Sequence, residues 1–149
     1  MNNVVEFSSK SNVFVRPIIG DEIDKFLPKV ISIIKPAIQK SQRNVSIDDV
    51  IEDIMATRSL MWAVYIGDTL SAAFTTSIAE HPQRRTLFIE FMGGAAMAVW
   101  MRDALKILKK LATESKLDGI EAHGRIGFSK MAKEHGFKEM HRHFEMELA

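Results

Sequence analysis

The chain has 149 residues, of which 46% are hydrophobic and 26% charged, the proportions of one globular domain with enough apolar side chains for a real core. Twenty Lys and Arg against nineteen Asp and Glu leave a net charge of +1. That is too little to predict a strong field toward nucleic acid or anionic lipid. The absence of cysteine excludes disulfides, thiolate catalysis and cysteine-ligated metals.

The chain opens with "MNNVVEFSSKS", which has neither the charged start nor the apolar stretch of a signal peptide. Residues 1–12 read as an N-terminal arm and residues 13–149 as the domain. No apolar run approaches the ~18 residues needed to span a bilayer, so neither signal-directed secretion nor a transmembrane segment is expected. "VFVR" at Val13–Arg16 is β-prone, and Pro17 is expected to end it. Ile23, Phe26, Leu27, Val30, Ile31 and Ile34 then recur at helical spacing. Pro28 and Pro36 interrupt that pattern, because each removes an N–H and crowds the preceding turn. Two or three short helical pieces with kinks are the expectation. Ser46 and Asp49 form a capping-box start, after which Ile47, Val50, Ile51, Ile54 and Met55 line one stripe of a short helix.

From Leu60 the pattern changes. "LMWAVYI" is apolar on both faces, as in a central strand, and Gly67-Asp68 makes a turn. "TLSAAFTTSIAE" alternates larger and smaller residues, and "TLFIEFM" follows the polar break "HPQRR". These three strands read as an antiparallel meander. After Gly93-Gly94 the longest helix runs from roughly Ala95 to Lys116, with Met101, Ala104, Leu105, Leu108, Leu111 and Ala112 on its buried face. "DGIEAH" reads as a short strand and "GRIGFSKMAKEHG" as a helix stopped by Gly136. "FKEMHRHFEMEL" reads as a final strand, since Met140, Phe144, Met146 and Leu148 alternate with His141, His143, Glu145 and Glu147. The fold class is therefore α/β (α+β): a mixed, mostly antiparallel sheet flanked by helices.

This order, from "VFVRP" to "HFEMEL", resembles the GNAT superfamily of N-acetyltransferases. The most specific local piece is "FSKMAKEHGFKEM", similar to that family's last helix and its Gly-Phe turn into a strand. A narrower set resembles short GNAT-like proteins encoded among bacteriophage virion and morphogenesis genes. It comprises Met92-Gly93-Gly94, Trp100 and Gly124-Arg125-Ile126-Gly127-Phe128. That resemblance implies a virion-associated or assembly protein that uses the acetyltransferase fold as a scaffold. Its partners would be other phage virion proteins, in the virion or the host cytoplasm. The broader resemblance implies an acetyl-CoA-dependent N-acetyltransferase acting on a host protein or small amine. The family usually closes its sheet with two C-terminal strands, and this chain has residues for one. Unless the arm at residues 1–12 supplies the missing edge, an oligomer assembled through that strand is the expectation.

In the family, a Gln/Arg-x-x-Gly-x-Gly/Ala motif at the start of the long helix grips the pyrophosphate of acyl-CoA through backbone N–H groups. The matching stretch here is Met92, Gly93, Gly94, Ala95, Ala96 and Met97, with adjacent glycines and no Gln or Arg ahead of them. It reads either as a cofactor turn or, the reading favoured by its residues, as a structural corner with Trp100 anchoring the helix. On the scaffold reading no cofactor is required; on the enzymatic one acetyl-CoA binds here. Chemistry would need a base, often with a Tyr to protonate the leaving thiolate. The one tyrosine, Tyr65, is on an early strand, and the usual acid position falls on Ala132. Glu90, on a strand between Ile89 and Phe91, is the catalytic candidate, with a solvent-facing or salt-bridged strand residue as the plainer alternative. Glu121 and His123 flank a second candidate cleft; His123, beside Gly124-Arg125, reads more simply as a turn-stabilising partner. His141, His143 and Glu145 form a surface row rather than a metal site, and no metal is expected. Arg102, Lys106, Lys109 and Lys110 read as a solvated helix face without an aromatic stacking platform. The nine methionines are expected mainly to fill the core.

Overall fold

The computed structural model describes residues 12–41, 44–124 and 128–148. The expected arm and the middle of the Gly-Arg-x-Gly turn lie outside them. Among the described residues, nine elements follow in order. They are β1 (Val13–Ile18), α1 (Glu22–Gln39), α2 (Ile47–Met55), β2 (Leu60–Ile66), β3 (Thr69–His81), β4 (Arg84–Gly94), α3 (Met97–Glu114), β5 (Gly119–Ala122) and α4 (Ser129–Glu134). The strands form one sheet in the order β1-β2-β3-β4-β5. Neighbours are antiparallel except β4 and β5, which pair in parallel.

Two apolar layers cover the sheet. On one face, Val30, Ile34 and Ile38 of α1 and Val50 and Ile54 of α2 pack on Ile18, Met61, Ala63, Ala73 and Phe91. On the other, Trp100, Met101, Ala104, Leu105, Leu108 and Ala112 of α3 pack on Trp62, Val64, Ala72, Phe74, Leu87 and Ile89, with Met131 and Phe137 at the margin. Burying one such large apolar side chain is worth about 1.5–3 kcal/mol. The double burial of β2 follows: Met61, Trp62, Ala63 and Val64 are all buried although they alternate faces. Trp62, Phe74 and Trp100 stack at centroid distances of 5.6 and 6.1 Å, tying β2, β3 and α3 into one column of rings.

Three expectations change. Pro17 does not end β1 but lies within it, opposite Trp62. An edge strand tolerates a missing donor on its open side. The prolines do not divide α1, which runs unbroken over 18 residues. The carbonyls that Pro28 and Pro36 release belong to Asp24 and Ser32, both exposed, so water can satisfy them. The buried row on the opposite side of the helix supplies the driving force. Third, residues 137–148 are in no strand, and every residue from 138 to 148 is exposed, so the sheet has five strands rather than six. Alternation encodes a half-buried strand but not the strand it pairs with, and among the described residues none lies alongside.

The remaining ends follow local rules. Ser46 and Asp49 make a reciprocal capping box at 2.8 and 3.1 Å. Gly136, at φ +90°, ends α4 with Gly136 N–H donating to Lys133 O and Phe137 N–H to Ala132 O. That is a Schellman closure.

Candidate functional site

The site begins with a miscount in the β3–β4 ladder. Thr75 pairs with Phe91 and Thr76 with Ile89, which leaves Glu90 as an extra residue with no partner on β3. Such a β-bulge re-aims a side chain. Ile89 joins the α3 layer and Phe91 the α1–α2 layer, so the strand changes face across Glu90. The Glu90 carboxylate accepts a hydrogen bond of 2.8 Å from Ser59 Oγ, in the turn between α2 and β2. Around this pair lies an open cleft of about 390 Å³ lined by Asp53, Arg58, Ser59, Ser77, Ile78 and Glu90. A small inner cavity continues toward Asp49 and Phe91. Arg58 Nε is 2.8 Å from Asp53 Oδ1, so Asp49 and Glu90 keep the lining net acidic. A half-buried carboxylate in an acidic recess suits a cationic amine, both to attract it and to take its proton.

The bulge also marks where the sheet opens. β4 and β5 pair only from Thr86 with Gly119 to Ile89 with Ala122. Beyond Ile89 the strands part, with Glu90 to Met92 on one lip and His123-Gly124 on the other. The His123 ring lies 4.9 Å from that of Phe88. Glu121 is engaged elsewhere: it takes the Thr86 hydroxyl and lies 2.7 Å from His81 Nε2, joining β3, β4 and β5. Burial pushes its carboxyl up, but those hydrogen bonds and the charges of His81 and His123 outweigh it, leaving it below the usual range.

At the top of β4, the two glycines meet backbone. A Cβ on Gly93 would come within 2.4 Å of Ile33 O on α1, and one on Gly94 within 2.4 Å of Ser71 O. Ser71 is itself the extra residue of a second bulge, between the pairs Val64–Ala72 and Tyr65–Leu70. Its carbonyl also accepts the Ala95 N–H at 2.9 Å. Trp100 Nε1 donates to Ala95 O at 2.9 Å, so Trp100 anchors the helix start as the sequence suggests. Beyond this corner, α3 has no side-chain cap, and Ala96 stands at its N-cap with φ +61°. A left-handed alanine costs about 1–2 kcal/mol relative to ordinary backbone. Ala95, Ala96 and Ala98 are exposed, so small side chains surround the positive end of the helix dipole.

The fold that carries this site is shared with solved proteins. The aminoglycoside N-acetyltransferase AAC(6')-Iy in complex with CoA matches at TM-score 0.68 and 11% identity, over 93% of this chain and 96% of that one. A predicted acetyltransferase with acetyl-CoA from Clostridium acetobutylicum matches at TM-score 0.66 and 16% identity, over 91% and 96%. An aminoglycoside acetyltransferase from an uncultured soil metagenomic sample, in complex with sisomicin, matches at TM-score 0.65 and 10% identity, over 92% and 97%. The fold is that of the GNAT acetyltransferases. No family model and no curated protein matches the chain in sequence.

Against the GNAT frame, the other sequence candidates fall as follows. Tyr65 packs with the α1–α2 layer, and Ala132 supplies the carbonyl that closes α4. His141, His143 and Glu145 lie in the exposed C-terminal segment, with His143 Nε2 3.0 Å from Glu145 Oε2. Among the described residues, no group of three or more His, Asp or Glu is placed to hold a metal. Arg102, Lys106, Lys109 and Lys110 are exposed along α3. Among the described residues, no helix is long and apolar enough to cross a membrane. Sequence reading misses Ser59 and Asp53. Each is an ordinary polar residue near a helix end, and only the fold brings them to Glu90.

Proposed function

We propose that the chain is an acyl-CoA-dependent N-acetyltransferase in which Glu90 is the general base for an amine acceptor. The observation that carries this reading is the bulge that turns Glu90 into an acidic cleft at the point where β4 and β5 part. The acceptor ammonium enters beside Asp53 and Glu90. Glu90 takes its proton, and Ser59 holds the carboxylate in place through the 2.8 Å hydrogen bond. The donor's thioester supplies an activated acyl carbon. The exposed N–H end of α3 at Ala96 to Ala98 suits its pyrophosphate. Gly93 and Gly94 shape the corner that presents this helix end. A thiolate leaves at neutral pH with little protonation, so the reading does not require a tyrosine acid.

Calorimetric titration with acetyl-CoA tests the donor half. Saturable binding is expected, weakened at least tenfold by Ala98→Asp, which places a carboxylate where phosphate would lie. The same substitution should raise thermal stability, because a carboxylate in the first turn complements the helix dipole. Glu90→Gln tests the acceptor half. General-base catalysis typically contributes 10²–10⁴-fold, so the acetylation rate with a polyamine or lysine-peptide panel should fall about 100-fold or more with donor binding unchanged. A variant that transfers as fast as wild type refutes this role for Glu90, and absence of acetyl-CoA binding refutes the enzymatic reading itself.

A second reading is favoured by the backbone contacts that fill the space beside Gly93 and Gly94 and by the Ala95 N–H already spent on Ser71. On it, the corner is purely structural and the chain is a phage virion or assembly protein, the role implied by the motif set that includes Met92-Gly93-Gly94 and Trp100. Mass spectrometry of purified particles and assembly intermediates decides it; absence from both removes the reading.

A further inference from the structure

Among the described residues, the C-terminal segment has a patterning that the fold leaves unused. Met140, Phe144, Met146 and Leu148 are 75–89% exposed, in a chain whose other large apolar side chains mostly fill two layers. They alternate with His141, His143, Glu145 and Glu147, so the segment has the makings of an amphipathic strand without a ladder.

We propose that this segment pairs with the same segment of a second copy, as an antiparallel two-stranded ribbon centred on Phe144. The argument is self-complementarity. About a two-fold axis at Phe144, His143 stands opposite Glu145 of the other copy and His141 opposite Glu147, each occurring twice by symmetry. The other face brings Phe144 onto Phe144 and Met140 onto Leu148. Arg142 meets Met146, where its alkyl stem extends the apolar surface. Directly opposed aromatic, aliphatic and opposite-charge pairs are the stabilising unit of an antiparallel ladder. Shifting the centre by two residues in either direction breaks this match. Centred on Arg142, the two Arg142 side chains meet and His141 faces His143. Centred on Met146, Glu145 faces Glu147. Pairing also satisfies a row of backbone donors and acceptors that the monomer leaves to water. The basic half of the segment precedes its acidic half, and that order fits antiparallel rather than parallel association.

Light scattering and sedimentation of the full chain test this at about 100 μM, a range suited to small interfaces. Wild type should be a dimer in exchange with monomer. The Glu145→Lys/Glu147→Lys variant should be monomeric, because positions 141, 143, 145 and 147 of its paired face are then all basic, and the His141→Glu/His143→Glu variant should be monomeric because the same four positions are all acidic. Mixed in equal amounts, the two variants should form a heterodimer. Among the described residues every position from 138 to 148 is exposed, so both should keep the wild-type unfolding midpoint. Because the chain lacks cysteine, register can be read separately. Phe144→Cys should oxidise to a covalent dimer, and Met140→Cys, which faces Leu148, should not. A monomeric wild type overturns the proposal, and protection of Phe144 in that monomer would mean the segment folds back on its own chain. A dimer that survives either charge variant, or a mixture that stays monomeric, overturns it equally.

Discussion

Thr75 and Thr76 are neighbours on β3, both buried, and they do opposite things. Thr76 Oγ1 accepts the buried indole N–H of Trp62 at 2.9 Å, whereas Thr75 Oγ1 is buried with no partner among the described residues. Removing an acceptor from a buried donor costs about 1–3 kcal/mol, while replacing an unpartnered hydroxyl by a methyl group is neutral or favourable. Thr76→Val should therefore lower the stability measured by urea unfolding by that amount, and Thr75→Val should leave it level or raised. At this scale the sequence is informative where a residue contradicts its surroundings. Glu90 stands out because a carboxylate interrupts an apolar strand. Ser59, 31 residues away, carries no such contradiction, and neither threonine can be told from the other without the third dimension.

The elements show which local signals win. Proline arithmetic divides α1, yet the helix is continuous, because its buried row at Val30, Ile34 and Ile38 outweighs two lost hydrogen bonds on a wet face. The capping box at Ser46 and the Gly136 stop are local chemistry and are legible in full. The corner between β4 and α3 is legible as a turn, but the reason for its glycines is not, since Ile33 and Ser71 come from distant parts of the chain. Gly93→Ala and Gly94→Ala each force backbone apart. Each should cost about 1–3 kcal/mol or more in thermal or urea unfolding, the second with an added penalty because its φ is +111°. Ala96→Gly should have the reverse sign. It relieves left-handed backbone at the helix start and should stabilise by up to about 1 kcal/mol.

At the scale of the whole molecule, β5 is the most lightly held strand of the sheet. It contributes four residues of parallel pairing, and Glu121 clamps it to His81 and Thr86. A carboxyl held below its unfolded value stabilises the fold above the ordinary glutamate value of about 4.3. That contribution is lost as pH falls through the lower folded value. Melting temperature should thus drop on acidification below about pH 4.3, and Glu121→Gln should lower it at neutral pH while flattening the acid limb. The flattening will be partial, because Arg16 lowers Glu22, the Ser46 cap lowers Asp49 and Arg142 lowers Glu139. The element order as far as α4 and the antiparallel meander are readable from hydrophobic period, and the two-layer burial follows from them, but the sixth strand that alternation promises does not form among the described residues. The parallel β4–β5 pair and its early end are not readable in this way, because they depend on where α3 returns the chain.

The bulge at Glu90 has a consequence for how such a chain can change over generations. Every residue around Glu90 already has its cross-strand partner in regular order: Ile89 with Thr76, then Phe91 with Thr75. Excising Glu90 would therefore mend the ladder and leave each neighbour on its present face. The deletion variant should fold, with a midpoint at or above wild type, and lack the carboxylate altogether. β4 is one residue longer than its pairing with β3 requires, and that surplus residue carries the proposed base. Loss of a single codon would separate fold from chemistry, so a descendant kept only as a scaffold lies one step away.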